Sequence, residues 1–355
     1  MNAIGAFVNA AHCPLRLKIE ADALTANWRW LAGLGGPAAC GAAIKADGYG
    51  LGAREVAMHL VLAGCRDFFV STWSEAERVL PWLGEAALSV LHGVSDDELR
   101  TALALRARPV LNTPAQVQRW RAEGQGRPCD VMIDSGFNRL GLSPGHLAEG
   151  ILEGLAIETL MSHLASADED VEMNGRQREM LVGVAANVGA RRVSLANSAG
   201  ICLGRDYHFD LTRPGIALYG GIPRPEAENH LRQVVRIEAQ IVQRRRVGRG
   251  DPIGYNATFV ADRDMELAIL NIGYADGYLR AFSGAGRAVL GDAYGPVVGR
   301  ISMDLTTICV DAAPHLAEGD WVEMDFNLPA ASAQSGLSQY ELLTLLGSRY
   351  DRIWF

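Results

Sequence analysis

What this chain lacks narrows what it can be. Its longest notably apolar run, Leu31 to Ile44, is too short to span a bilayer and carries Gly35, Gly36 and Pro37. The first fifteen residues contain no Lys or Arg, so the basic start of a secretory signal is missing. Basic charge is not in excess: 33 Lys and Arg against 41 Asp and Glu leave a net charge of −8. That balance argues against an electrostatic hold on nucleic acid or on an anionic membrane. Cysteine is sparse, and Cys13, Cys40, Cys65, Cys129, Cys202 and Cys309 show no CxxC pair and no Cys/His ligand spacing. They read as buried free thiols in a reducing compartment, with no metal expected and the cytoplasm as the expected location. Repeats of solenoid period and low-complexity tails are absent too.

What is present is ordinary soluble composition, 49% hydrophobic and 21% charged, in a 355-residue chain too long for one small core. Between about residues 40 and 220, strand-like runs alternate with amphipathic stretches. The runs are CGAAIK (40–45), DFFVST (67–72), LSVLHG (88–93), RPVLNT (108–113), CDVMID (129–134), ETLMSHL (158–164), RVSLAN (192–197) and HFDLTR (208–213). Residues 54–64 and 176–188 repeat apolar positions at helical spacing, the first ending on Gly64. Eight such units predict an α/β fold, a closed parallel (β/α)8 barrel of the TIM type. A doubly wound open sheet is the runner-up, but no GxGxxG follows the first strand. Beyond residue 230 the pattern turns to alternating and β-branched stretches, with 339–346 helical and AASAQSG (330–336) a loose loop. The expected division is a barrel domain over 1–228 and a mostly β domain over 229–355. The early strand near residues 10–20 is open to pairing with the latter.

In such a barrel the active site lies at the C-terminal ends of the strands. The first strand ends on Lys45, the fifth runs into Asp134, Asn138 and Arg139, and the sixth ends on Ser162 and His163. The seventh ends on Asn197 and Ser198, and the eighth on Arg213, before Gly215 and Ile216. Singly, each has a plain structural reading: a satisfied histidine, a salt-bridged arginine, an Asn-Ser helix cap. Together on one rim they favour a site. Ser198 and the bare backbone at Gly215-Ile216 can offer a hydroxyl and N–H donors to a phosphate. A lysine, a phosphate cradle and arginines without a metal cluster point to pyridoxal phosphate held on Lys45 as a Schiff base.

AIKADGYGLG (43–52), SLANSAGI (194–201), RPGIALYG (213–220), IGYNATF (253–259), IGYADGY (272–278) and VGRISMD (298–304) resemble motifs of the alanine racemase family. The resemblance covers nearly the whole chain. It implies that Lys45 carries the cofactor, that Tyr49, Ser198, Gly215 and Ile216 contact its phosphate, and that Asn197 belongs to the same cradle. Arg213 would bond the pyridine nitrogen, which an arginine leaves unprotonated. His163 would lie against the ring, and Arg139 would reach the ring hydroxyl and the substrate. Tyr255, read from residues alone as a buried strand aromatic like Tyr274, would be the second catalytic base. A head-to-tail homodimer would deliver it from the partner. Tyr274, Met303 and Asp304 would meet the amino-acid substrate, and Asp168, Arg280 and Arg300 would line the access corridor. Racemisation needs a proton donor on each face of a flat carbanion, and an amine and a phenol with ordinary pKa values near ~10 hold little base at neutral pH.

The resemblance also marks departures. Met132 stands where many members carry a carbamylated lysine, so Arg139 must find another partner, for instance a bound anion. Trp354 replaces a tyrosine that touches the phosphate, and Asp47 replaces the commoner asparagine. The activity implied is interconversion of L- and D-alanine. Alternatives are a racemase of serine, lysine or a broader set, and a non-catalytic pyridoxal-phosphate carrier, against which a β domain bearing Tyr255 argues. A decarboxylase would need a cysteine-aspartate motif that the context of Cys309 does not supply.

Overall fold

The computed structural model describes residues 12–355. It divides into two compact units: residues 21–234, and residues 235–355 together with the strand Leu15–Ile19.

In the first unit seven parallel strands follow one another in chain order: Ala42–Ala43, Asp67–Val70, Ala87–Val90, Arg108–Leu111, Cys129–Met132, Ile157–Met161 and Arg192–Ser194. The eighth, Leu211–Thr212, closes the ring. It bonds the seventh through Asp210 N–H to the Val193 carbonyl (3.0 Å) and Arg213 N–H to that of Ala196 (2.8 Å). It accepts from the first strand region through Ala39, Gly41 and Ala43 N–H groups at 2.8–2.9 Å. The expected (β/α)8 barrel is thus closed by backbone hydrogen bonds. Its strands are apolar runs because both faces are covered: Asp67–Val70 and Cys129–Met132 are buried at every position.

The connecting helices form where caps and apolar spacing agree. Ala53–Ala63 buries Val56, Ala57 and Leu60 on one face and stops at Gly64, whose φ of 111° suits only glycine. Trp73–Val79 starts in a capping box between Thr72 and Glu75. At the N-terminal ends of the strands the buried charges are consumed in pairs. Arg192 grips Asp67 with two bonds of 2.7 and 3.1 Å, and Arg108 meets Asp130, which also accepts from Ser89 at 2.5 Å. Paired charge at this end of the barrel reads as stability rather than chemistry.

The second unit is built on the 13-residue strand Val235–Val247. It pairs antiparallel with Leu15–Ile19 and Trp321–Met324 through its first half, and with Met265–Leu270 through its second. The last strand, Asp351–Trp354, lies parallel to Leu15–Ile19. One expectation fails here: residues 330–336 are no loose loop. Leu328–Ser335 is a helix, started by the Asn327 side chain accepting from Ala330 N–H and stopped at Gly336 with φ 74°. Its Ala/Ser-rich sequence has almost no apolar periodicity to announce it. The cysteines are free throughout, but Cys13 and Cys202 are only half-buried. Among the described residues no helix is long and apolar enough to cross a membrane.

Candidate active site

The C-terminal rim of the barrel holds Lys45, which lies two residues past the first strand and is half-buried. Burial, then the nearby Arg139, lower its pKa, while Glu75 opposes them. The chain behind it turns sharply. Ala46, Asp47, Gly48 and Tyr49 all have φ between 51° and 64°, and three of the four are not glycine. Each such residue costs about 1–2 kcal/mol, so surrounding bonds must hold the turn. They do: Gly48 N–H donates to the Ile44 carbonyl (2.9 Å), Asp47 Oδ1 accepts from Ala53 N–H (2.9 Å), and Glu75 Oε1 accepts from Ala46 N–H (2.7 Å).

The turn delivers Tyr49 to a buried place, stacked on Tyr219 at 4.6 Å. A Cβ at Gly215 would collide with the Tyr49 hydroxyl, so only glycine allows this approach. Gly215 N–H and Ala217 N–H donate to the buried Ser198 hydroxyl at 2.9 and 3.2 Å. Ile216, also buried, opens the short helix between them and Tyr219. Tyr49, Ser198, Gly215 and Ile216 therefore form one continuous cradle. Asn197 spends its side chain on Gly200 N–H (2.8 Å) as a helix cap.

Arg213 is buried at the end of the eighth strand. It donates to the Ser162 carbonyl at 2.6 Å and to the Ser194 hydroxyl, and burial pulls its pKa down to about 10 against the raising effect of Asp130. It stays cationic at neutral pH. His163 is half-buried, and burial with the cations Arg213, Arg139 and Lys45 pushes its pKa down to about 3, so the ring is neutral. Arg139 lies over the Phe137 ring at 4.1 Å, and that ring in turn leans on His163 at 5.6 Å. Met132 is buried in its strand. Among the described residues an aromatic face is thus in contact with Arg139. Among the described residues no carboxylate forms an ion pair with Lys45, Arg139 or Arg213. That contrasts with the opposite end of the barrel and suits a ligand bearing negative charge.

In the other unit a short hairpin, Pro252–Ile253 with Phe259–Val260, presents Tyr255 at its tip. Ile253 packs into the core beside Met265, Leu267 and Val298, while Tyr255 is 63% exposed. Tyr255, Tyr274, Arg280, Arg300 and Met303 line one cavity of about 280 Å³, together with Asn256. Arg280 sits 5.2 Å above the Tyr274 ring. The reading of Tyr255 and Tyr274 as buried strand aromatics is overturned, since both lie exposed in single 3-10 turns. A Cβ at Gly273 would strike the carbonyls of Ser302 and Met303, so glycine lets these two loops touch. Asp304 is held by Arg349 at 2.7 Å, and Asp168 is exposed on the barrel unit. Trp354 ends the last strand opposite Ile19. Sequence reasoning missed Asn256, Ser194, Phe137 and Glu75. Only Glu75 had a local signal, the Thr72-x-x-Glu75 spacing of a capping box.

The profile of the alanine racemase N-terminal domain matches residues 19–223, and that of the C-terminal domain residues 234–354. The chain belongs to the alanine racemase family. Alanine racemases of Methylobacterium nodulans and Acidiphilium cryptum are 42% and 41% identical to it; each alignment spans 95% of this chain and 95% and 98% of theirs. The crystal structure of the alanine racemase of Bartonella henselae, with covalently bound pyridoxal phosphate, superposes with a TM-score of 0.90 at 35% identity, covering 97% of this chain and all of that one. The rim described here fits such a cofactor: an amine of lowered pKa, a glycine-bounded cradle with a buried hydroxyl, and a cationic fork.

Proposed function

We propose that the protein is a pyridoxal-phosphate-dependent racemase that interconverts L- and D-alanine. The observation that carries this is Lys45, an amine of depressed pKa at the rim of a closed barrel, beside a cradle that a Cβ on Gly215 would fill. Family membership and the Bartonella henselae structure support the same reading.

When bound, pyridoxal phosphate supplies an electron sink that lets the substrate Cα release a proton. The protein's own groups do the rest. Lys45 Nζ would hold the cofactor and afterwards take or return a proton on one face of the substrate; its lowered pKa keeps free base available. Tyr255 Oη would serve the opposite face. Arg213, held by Ser162 and Ser194, would donate to the ring nitrogen without surrendering its own proton, which disfavours a fully protonated ring and its side reactions. Neutral His163 would lie on the ring face, and Arg139 would reach its hydroxyl and the substrate carboxylate. Tyr49, Ser198, Gly215 and Ile216 would bound the phosphate, with Asn197 fixing the turn behind Ser198.

The exposure of Tyr255 supports a head-to-tail homodimer in which a second copy completes each site, with Tyr274, Met303 and Asp304 near the substrate and Asp168, Arg280 and Arg300 along its approach. The cytoplasm is the proposed location. Borohydride reduction and peptide mapping should place the pyridoxyl label on Lys45, and circular dichroism should show faster turnover of L-alanine than of L-serine or L-lysine. A label on another lysine defeats the assignment, and a preference for serine or lysine moves the substrate.

A further inference from the structure

Glu75 lies thirty positions from Lys45 and carries none of the roles above. Its carboxylate nevertheless reaches across the rim. Oε2 accepts from Ser71 N–H (2.7 Å) and Thr72 N–H (3.2 Å), in the loop after the second barrel strand. Oε1 accepts from Ala46 N–H (2.7 Å), in the turn after the first. One side chain thus ties together the ends of two neighbouring strands. The bond to Ala46 falls on the first of the four left-handed residues that follow Lys45. A helix cap needs only the Thr72 half of this arrangement, in which Thr72 Oγ1 accepts from Glu75 N–H at 3.2 Å. The bond to Ala46 is surplus to capping.

We propose that Glu75 is a positioning residue for Lys45: its carboxylate fixes the backbone on which the lysine stands and adds a negative charge that acts on the amine. The inference rests on the reading of Lys45 as the cofactor lysine. The geometry is supported by charge. Three groups face Lys45 from three elements: Glu75 from the helix after the second strand, Arg139 from the loop after the fifth, and His163 from the end of the sixth. His163 is neutral and Arg139 disfavours the ammonium, so Glu75 alone of the three favours it. Glu75 therefore restrains a depression of the lysine pKa that burial and Arg139 would otherwise carry further.

The test uses the parent, Glu75→Gln, Glu75→Ala and Thr72→Ala. Each is stripped of cofactor and recombined with pyridoxal phosphate over a range of pH, the rate being followed by visible absorbance. The amine reacts as free base, so the midpoint of the rate profile reports its pKa. Glu75→Gln removes the charge and keeps one acceptor, and its midpoint should move to lower pH with kcat partly preserved. Glu75→Ala removes both, and kcat should fall further, by up to about 100-fold, as expected for a misplaced catalytic group. Thr72→Ala weakens the cap alone and should lower the melting temperature without moving the midpoint. The proposal fails if folded Glu75→Gln keeps the parent midpoint, or if Thr72→Ala shifts it equally. Should Glu75→Ala not fold, the Gln and Thr72 variants decide between these outcomes. Borohydride mapping of the parent runs alongside. A label off Lys45 defeats the cofactor assignment itself, whereas a label on Lys45 with an unmoved midpoint defeats only the role of Glu75.

Discussion

At the scale of the residue, the rim is governed by cations that form no ion pair with a carboxylate among the described residues. His163 shows this most directly. In an unfolded chain its pKa is about 6.5, and in the fold burial and three cations push it down to about 3. The unfolded chain therefore takes up a proton that the folded one refuses. Above about pH 6.5 the residue contributes nothing to the pH dependence of stability, and between there and pH 3 stability is progressively lost. The cofactor-free His163→Gln variant should lose less stability than the parent between about pH 6.5 and pH 4, read as the urea midpoint at each pH. Equal losses would mean that the ring is solvated and free to protonate. Met132 illustrates the opposite case, a buried uncharged side chain at the end of the fifth barrel strand. Arg139 stacks on Phe137, a contact that orients the guanidinium without neutralising it.

At the scale of the element, structure arises from caps and glycines as much as from apolar spacing. The helix Leu328–Ser335 has little amphipathic character, yet Asn327 and Gly336 define both its ends and it buries Leu328 and Ala331. Asn327→Ala should cost about 1 kcal/mol, seen as a lower denaturant midpoint with an unchanged slope. A changed slope would indicate that more than the cap was lost. The eight barrel strands were legible for a physical reason: parallel strands covered on both faces must be apolar throughout, and helix caps punctuate them. Knowing the barrel, the functional ends of its strands could be assigned without contacts. The hairpin that exposes Tyr255 was not legible. An aromatic residue in a β-rich stretch reads as core, and nothing local says that Gly254, Asn256 and Ala257, all at positive φ, lift it outward.

At the scale of the whole molecule, the proposed homodimer would complete each site with a residue of the second copy. Mixing the inactive variants Lys45→Ala and Tyr255→Phe under conditions that exchange subunits should restore activity through hybrid dimers with one intact site each. Random reassortment makes half the dimers hybrid, so recovery should approach about a quarter of the parent rate. Exchange without recovery would show that each chain supplies both bases to its own site.

The amino-acid sequence by itself determined the barrel grammar, the strand-end placement of Lys45, Arg139, His163, Ser198 and Arg213, and the family motifs, because these depend on local composition and on a fold-wide rule about strand ends. The tertiary structure alone decided which charges remain unpaired, which hydroxyls and N–H groups are already engaged, and that Glu75 reaches Ala46 from the next strand. Those are matters of distance between residues far apart in the chain. A pattern of residue types carries no distances until packing brings the elements together.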